Sequence, residues 1–354
     1  MTTGERAVWA MAAVGLGGSA LGWMTAPADF PHAWLAAVTF WIGWPLGSLA
    51  LIFIHALTGG RWGLAIRRQL AMAVATMPLI LPALIPILVA GRLLYPWMQP
   101  AADSGLANRF YLNAPFFYAR LAIYLIAWLG LALATLRALR RVNPEPHLSR
   151  LAPGGLILLA LTVTFFAVDF TLSLEPQFKS SIYGMLTGSE AVLLALSAAL
   201  MGASLMGGGG DPDAARDLGR LLFGLLVLWA YLDFMQLLIV WNSNLPDEAG
   251  WYGKRLAGFW GTLAVIVAVF HFVLPFLVLI WPRVQRSRRA TGLVAAMLVA
   301  AEIPRAWWIV IPAARRGVDW TDAAAMTAMI GIAAGIAIRI LHNERLPARP
   351  SSHA

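Results

Sequence analysis

Residues 151–174 have the sequence LAPGGLILLALTVTFFAVDFTLSL, in which Asp169 is the only ionisable residue. A helix rises about 1.5 Å per residue, so this stretch is long enough to cross about 30 Å of hydrocarbon. Its apolar residues are continuous and do not alternate with polar ones, which argues against a strand of a membrane β-barrel. We therefore interpret the stretch as a membrane-spanning helix.

Similar apolar runs occur on both sides of it. Of the 354 residues, 60% are hydrophobic and 12% are charged, whereas about a quarter of a soluble protein is charged. This composition excludes an ordinary soluble enzyme, a disordered chain and a nucleic-acid-binding module. We predict an all-α, polytopic protein that forms a single integral membrane domain of about ten spans. The predicted spans are 7–24, 33–57, 69–91, 115–138, 151–174, 182–206, 218–242, 256–281, 291–311 and 320–341.

The loops contain most of the positive charge. The formal net charge is +9, and most arginines lie in the loops that share a side with the N-terminus. By the positive-inside rule, both termini are predicted to lie in the cytoplasm. We interpret the basicity as a determinant of topology and predict no nucleic-acid partner. The chain has no cysteine, which excludes disulfides, thiolate nucleophiles and iron–sulfur clusters held by this chain; no metal site is predicted.

Polar residues within or next to the spans are the candidates for function. An ionisable group in hydrocarbon costs several kcal/mol, so its presence needs a physical reason. Groups at similar depth on neighbouring helices can relay protons or bind a polar headgroup. Alternatively, they bond neighbouring helices together or pair with Arg120. The candidates are Arg120, Asp169, Ser173, Glu175, Tyr183, Glu190, Asp233, Gln236 and His271.

Three further features have structural interpretations. Glu302 and Arg305 are three residues apart on one helix, so we predict that they form an internal ion pair. His55 and His271 are the only histidines within predicted spans, and we interpret His55 as a packing or interfacial residue rather than a haem ligand. Prolines every four residues should bend the third span and free backbone carbonyls; these are Pro78, Pro82 and Pro86.

Three stretches resemble the NrfD/polysulfide-reductase-like membrane subunits. The most similar group is the second quinol:cytochrome c oxidoreductase membrane subunit of bacterial alternative complex III. The stretches are FAVDFTLSLEPQFKSSIYG at 166–184, WAYLDFMQLLIVWNSNLPDE at 229–248 followed by Trp251 and Tyr252, and HFVLPF at 271–276. The resemblance covers about 160–280 in order and spacing, and the rest of the chain in hydropathy alone.

The resemblance implies a fold, a function and partners. The fold would be two four-helix bundles, at 33–174 and 182–311, with the first helix at 7–24 and the last at 320–341 flanking them. The chain would be a subunit of a quinol-oxidising respiratory complex in the bacterial inner membrane, without a redox cofactor of its own. Haem c and iron–sulfur clusters would lie on partner subunits, namely a c-type cytochrome, an iron–sulfur protein and a paralogous membrane subunit. The candidate residues would then form a quinone-headgroup site, a proton path or both, toward the outer face.

Two alternatives remain open at this point. Bent helices and acids near the middle of the membrane are also typical of a proton-coupled secondary transporter. A purely structural anchor for partner subunits would use the same acids as packing pairs.

Overall fold

The structure, a computed structural model, describes residues 2–99, 108–206 and 211–342. Within these residues there is no β-strand, and ten helices are long and apolar enough to span a membrane. This confirms the predicted fold class. The helices are α1 Thr3–Thr25, α2 Phe30–Thr58, α3 Arg61–Val89, α4 Ala114–Leu139, α5 Glu145–Leu174, α6 Tyr183–Leu205, α7 Pro212–Ser243, α8 Gly258–Leu279, α9 Arg288–Ala314 and α10 Trp320–Leu341.

Each helix overlaps one predicted span, and several begin well before it. α3 starts at Arg61, α5 at Glu145 and α7 at Pro212. Hydropathy detects only the part that lies in hydrocarbon, whereas the helix continues through polar turns beyond it. Proline in the first turn of α5 and α7 favours these early starts, because the first N–H groups of a helix have no intrahelical partner.

α2 and α6 form the centre of the molecule and pack against each other. In the first half of the chain, α2 also contacts α3 and α5, and α4 contacts α5. In the second half, α6 contacts α7 and α9, and α8 contacts α9. The same pattern of helix contacts therefore occurs twice along the chain. Most of the buried apolar residues belong to one continuous core that runs through both halves.

α3 is interrupted where its prolines begin. The α-helix stops at Ala75, a 3₁₀ turn covers Met77–Leu79, and the α-helix resumes at Ile80. Two tryptophans of α2 bond to this region: the Trp34 indole donates to the carbonyl of Ala83 at 2.8 Å, and the Trp41 indole to the hydroxyl of Thr76 at 3.3 Å. The α-helix is therefore interrupted where the prolines begin, and α2 is the neighbour that donates hydrogen bonds to this region.

Ion pairs between loops mark two ends of the bundle. At one end, named the Arg61 end, Arg61 pairs with Asp211 and Asp213, and Arg67 pairs with Glu145. At the opposite end, named the Glu175 end, a short connecting helix, Pro246–Arg255, joins α7 to α8 beside the α5–α6 loop. Arg316 also lies at the Glu175 end, where it bonds Asp322 at 2.6 and 2.8 Å and joins the α9–α10 loop to the start of α10.

α1 packs along its length against α10, and α10 packs against α2. Glycines allow the close approach of α1 and α10. A Cβ atom on Gly15 would overlap the backbone of Ala328, and one on Gly331 would overlap the backbone of Ala12. The first and last spans are therefore a tightly fitted pair beside α2.

We expect Gly15→Val to destabilise the protein by about 1–3 kcal/mol, because the added side chain must displace the α10 backbone. The measurement is the thermal unfolding midpoint in detergent, followed by circular dichroism. Gly17→Val is the matched control, since nothing lies within 4 Å of a Cβ at this position of the same helix. Equal midpoints for the two variants would contradict the proposed close packing.

Candidate functional site

Six of the predicted site residues lie in three groups in the structure, together with residues that were not predicted as site residues, and Ser173, Tyr183 and Gln236 lie beside these groups. The Asp169 network consists of Arg120, Tyr124 and Asp169 on α4 and α5. The acid cluster consists of Glu190, Asp233, His271, Glu302 and Arg305, on α6 to α9. The Glu175 anchor consists of Glu175, Lys254 and Arg255 at the Glu175 end.

The Asp169 network is buried and fully bonded. Nε and Nη2 of Arg120 donate to the two carboxylate oxygens of Asp169 at 2.9 and 2.8 Å, and the Tyr124 hydroxyl donates to the same carboxylate at 2.7 Å. Asp169 has no exposed surface. The guanidinium carbon of Arg120 lies 3.9 Å from the ring centroid of Tyr111, and Nη1 donates to the Tyr111 carbonyl.

Such a pair is stable because each charge is neutralised by hydrogen bonds in fixed geometry. Ser173, predicted on the same face as Asp169, donates to the Asp169 carbonyl oxygen at 2.6 Å and so bonds the backbone rather than the carboxylate. The Asp169 network therefore joins α4 to α5, as the helix-bonding alternative predicts, and its carboxylate does not line the cavity described below.

Arg305 is the centre of the acid cluster. Its Nε donates to Glu190 at 3.1 Å and its Nη2 to Asp233 at 2.6 Å, so one arginine on α9 joins α6 and α7. Its guanidinium carbon also lies 5.1 Å from the ring centroid of Trp308 and 5.6 Å from that of Trp229. Arg305 is almost wholly buried, while about a third of the Asp233 side chain is exposed. The cluster therefore extends from the core to the α7 surface.

His271 and Glu302 form the second pair of the cluster. Nε2 of His271 lies 2.9 Å from Glu302, and both side chains are buried. His271 belongs to a π-helical segment, Ala268–Val273, within α8. A π turn adds a residue to the helical repeat and turns the following side chains toward a different face. In α8 it places an imidazole within the bundle, on a helix whose other large side chains are mostly exposed.

The predicted ion pair between Glu302 and Arg305 differs from the pairing in the structure. Arg305 bonds Glu190 and Asp233, and Glu302 bonds His271. The physical reason is that carboxylates from two other helices lie within bonding distance of the arginine, while Glu302 lies 2.9 Å from His271 on α8. The sequence spacing made the local pair the simplest expectation, and no signal in the sequence indicated the cross-helix partners.

The acid cluster contains more acidic than basic groups. It has three carboxyl groups, one arginine and one histidine, whereas the Asp169 network has one carboxylate for one arginine. Neighbouring carboxylates in a medium of low dielectric constant repel each other, so proton binding relieves the repulsion. The cluster therefore carries a surplus of carboxyl groups, whereas the charges of the Asp169 network are balanced.

A cavity opens beside the acid cluster. It lies between α2, α5, α6 and α9, and part of it is open to the surroundings. Its lining is mostly aliphatic and aromatic, and the polar groups include Thr171, Tyr183, Glu190, Glu302 and Arg305. An apolar cavity with a few convergent polar groups is typical of a site for a small amphipathic molecule.

Packed residues separate the cavity from the Glu175 end. Tyr183, whose hydroxyl lies 2.8 Å from that of Thr171, packs with Phe178, Trp251 and Trp308 in one buried cluster. Gln236 on α7 accepts from Ser180 at 2.8 Å and donates to the Tyr252 hydroxyl at 3.3 Å, which joins the α5–α6 loop to the connecting helix.

The Glu175 anchor holds this arrangement together. Glu175 pairs with Lys254 and, at 2.6 Å, with Arg255. Arg255 is buried and also donates to the carbonyls of Trp251, Trp308 and Ile309. Burial lowers the pKa of the Arg255 guanidinium, and the adjacent Glu175 carboxylate acts against that shift. Neither Lys254 nor Arg255 was among the predicted site residues, because both looked like ordinary loop charges.

His55 lies outside all three groups. Its Nε2 is 2.8 Å from the Gly60 carbonyl oxygen and its ring contacts Trp62, so it stabilises the α2–α3 turn at the Arg61 end. No group of three or more His, Asp or Glu side chains that could hold a metal ion occurs in the part of the chain that the structure describes.

Comparison with known proteins does not assign the chain to a family. No protein-family model matches the chain, and no curated protein matches it significantly. The resemblance to the NrfD-like subunits therefore remains a prediction based on the stretches at 166–184, 229–248 and 271–276.

We expect Asp169→Asn to destabilise the protein by about 3–5 kcal/mol, because it leaves the buried Arg120 charge without its carboxylate. Thermal unfolding in detergent measures the effect. Glu145→Gln is the matched control: it removes a carboxylate that pairs with Arg67 but is half exposed, and such pairs contribute about 0–1 kcal/mol. If both variants unfold at the same temperature, the Asp169 network does not stabilise the packing of α4 against α5.

Proposed function

We propose that this chain is an integral membrane subunit of a quinol-oxidising respiratory complex of the alternative complex III type. In this proposal the acid cluster receives protons near the cavity and passes them on. The observation that supports it most strongly is the acid cluster itself: three carboxyl groups and a histidine around one arginine, inside a membrane-spanning bundle and against a cavity. Ionisable groups at such a depth are a functional hypothesis by default.

The cavity suits the substrate of such a complex. A quinol has an apolar tail and a ring whose two hydroxyl groups donate hydrogen bonds. The aromatic and aliphatic lining would pack against the ring, and the carboxylates of Glu190 and Glu302 are acceptors for its hydroxyl protons. Quinol oxidation releases two protons and two electrons. The carboxylates would accept the protons. The electrons would pass to haem c and iron–sulfur clusters on partner subunits.

The proposed location is the bacterial inner membrane, with both termini in the cytoplasm. The arginine-rich loops supply the argument, since they lie together at the Arg61 end, where the positive-inside rule places the cytoplasm. The Glu175 end would then face the outside. Quinol-derived protons released through Asp233 and the Glu175 end would leave on that side.

A proton-coupled secondary transporter is the second candidate. The helix contacts repeat between the two halves of the chain, and a cavity lies between them. Internal repeats around a central site are typical of transporters, including repeats related by an axis along the membrane normal. The resemblance to quinol-oxidising subunits is the reason to place the respiratory function first.

We expect that mild-detergent purification from native membranes will recover the chain together with c-type haem and an iron–sulfur protein. Haem absorption spectra and mass spectrometry of the purified material measure this. A chain that purifies without haem proteins and transports a solute after reconstitution would favour the transporter instead. Haem partners together with fully active acid variants would favour the structural anchor.

We expect Glu302→Gln to lower quinol-dependent electron transfer and the coupled proton release of the intact complex by roughly 100-fold, which is the scale of one lost acid–base group. The amide keeps the size of the side chain but cannot carry a proton between partners. Asp247→Asn is the control, because Asp247 is an exposed carboxylate of the connecting helix. Retention of haem partners must be equal in both variants. Unchanged turnover and proton yield in Glu302→Gln would exclude the assigned role.

A further inference from the structure

Two buried nitrogen atoms beside the acid cluster have no hydrogen-bond partner among the described residues. They are Nε1 of Trp229 on α7 and Nδ1 of His271 on α8. Only 3% of Trp229 and 2% of His271 is exposed. A buried polar group without a partner costs about 1–3 kcal/mol, so two in contacting side chains call for a physical explanation.

The two rings touch. Their centroids are 4.2 Å apart and their planes meet at 73°. The other imidazole nitrogen, Nε2, lies 2.9 Å from Glu302, so Nδ1, on the opposite edge of the ring, is directed away from that carboxylate. The two unpaired nitrogens therefore belong to buried side chains in direct contact, in a region shielded from the surroundings.

The hydrogen-bond chemistry of the two atoms is complementary. An indole Nε1–H can only donate. When Nε2–H of a neutral His271 donates to Glu302, Nδ1 can only accept. A water molecule satisfies both, because it accepts from the indole and donates to the imidazole. It also suits a protonated His271, since a water oxygen accepts from Nδ1–H and from the indole at the same time.

We propose that a buried water molecule is bound between Nε1 of Trp229 and Nδ1 of His271, and that Nδ1 is the atom at which His271 gives up protons. The proton step rests on the respiratory function proposed for the chain; the water site does not. In that step, a Glu302 carboxyl group that has received a quinol proton gives it to Nε2 of a neutral His271 protonated at Nδ1, and the Nδ1 proton passes to the water. The products are a Glu302 carboxylate, a neutral imidazole protonated at Nε2, and a hydronium ion at the water site.

Trp229 is a positioning residue in this arrangement. Its indole N–H holds the water, its ring contacts His271, and the guanidinium of Arg305 lies over the same ring. The π-helical turn of α8 places the imidazole ring of His271 against the Trp229 ring. The water site thus joins α7 to α8, two helices that otherwise contact each other little.

Solid-state NMR of the full-length chain in lipid nanodiscs, with ¹⁵N-labelled histidine, tests the water site. His271→Asn identifies the His271 signals by their loss. We expect polarisation to pass from water protons to Nδ1 of His271 at least several-fold faster than to a dry buried ring nitrogen. A slow transfer in the unmodified chain would overturn the proposal, and the transfer rate itself is measured on the unmodified chain.

Trp229→Phe removes the indole N–H and keeps an aromatic ring. We expect the rapid transfer to Nδ1 to be lost in this variant. Trp260→Phe is the control, because its indole donates to the Arg316 carbonyl in a distant loop; the His271 signals should remain unchanged. If Trp229→Phe leaves the transfer to Nδ1 as fast as before, Trp229 does not hold the water and the proposal fails.

The two proposals can fail separately. Rapid transfer at Nδ1 combined with full turnover of Glu302→Gln would keep the water site and remove the proton path. Loss of turnover in Glu302→Gln combined with a dry Nδ1 would keep the proton path and overturn the water site.

Discussion

Arg120 and Arg305 are buried within helices long and apolar enough to span a membrane, and the structure around them is set by the need to neutralise them. A charge left alone there costs several kcal/mol, so carboxylates from other helices must be brought within bonding distance. The ion pair between Arg120 and Asp169 joins α4 to α5. The ion pairs of Arg305 with Glu190 and Asp233 join α9 to α6 and α7. Because these bonds have fixed lengths, they also fix how the helices sit against one another. The surrounding apolar packing then fills the remaining space.

The two halves of the chain use this constraint differently. The fourth and fifth helices carry a balanced pair with every bond satisfied, whereas the eighth and ninth helices carry His271 and Glu302 in a cluster with surplus carboxyl groups. The two halves therefore differ in the charge balance of their buried groups, although both follow the same order of helix contacts.

The ten spans could be predicted from the sequence because burial in hydrocarbon acts on each helix by itself, so a run such as 151–174 carries its own signal. Candidate polar residues could also be found in this way, since Asp169, Glu190 and His271 stand out against apolar neighbours. The residues to which they bond could not be predicted from the sequence. Whether Arg305 bonds Glu302 on its own helix or Glu190 on another depends on helix rotation, which the sequence does not state. The π turn that places His271 likewise has no recognised sequence signal, because a single inserted residue leaves hydropathy unchanged.

The pairing of the first helix with the last has a consequence for how the protein is made. α1 leaves the ribosome well before α10, and its glycine-lined face fits α10. During synthesis that face has no permanent partner until α10 has been made. A chain truncated before α10 would therefore display an unsatisfied helix surface in the membrane, a feature by which quality-control proteases can distinguish incomplete chains from finished ones.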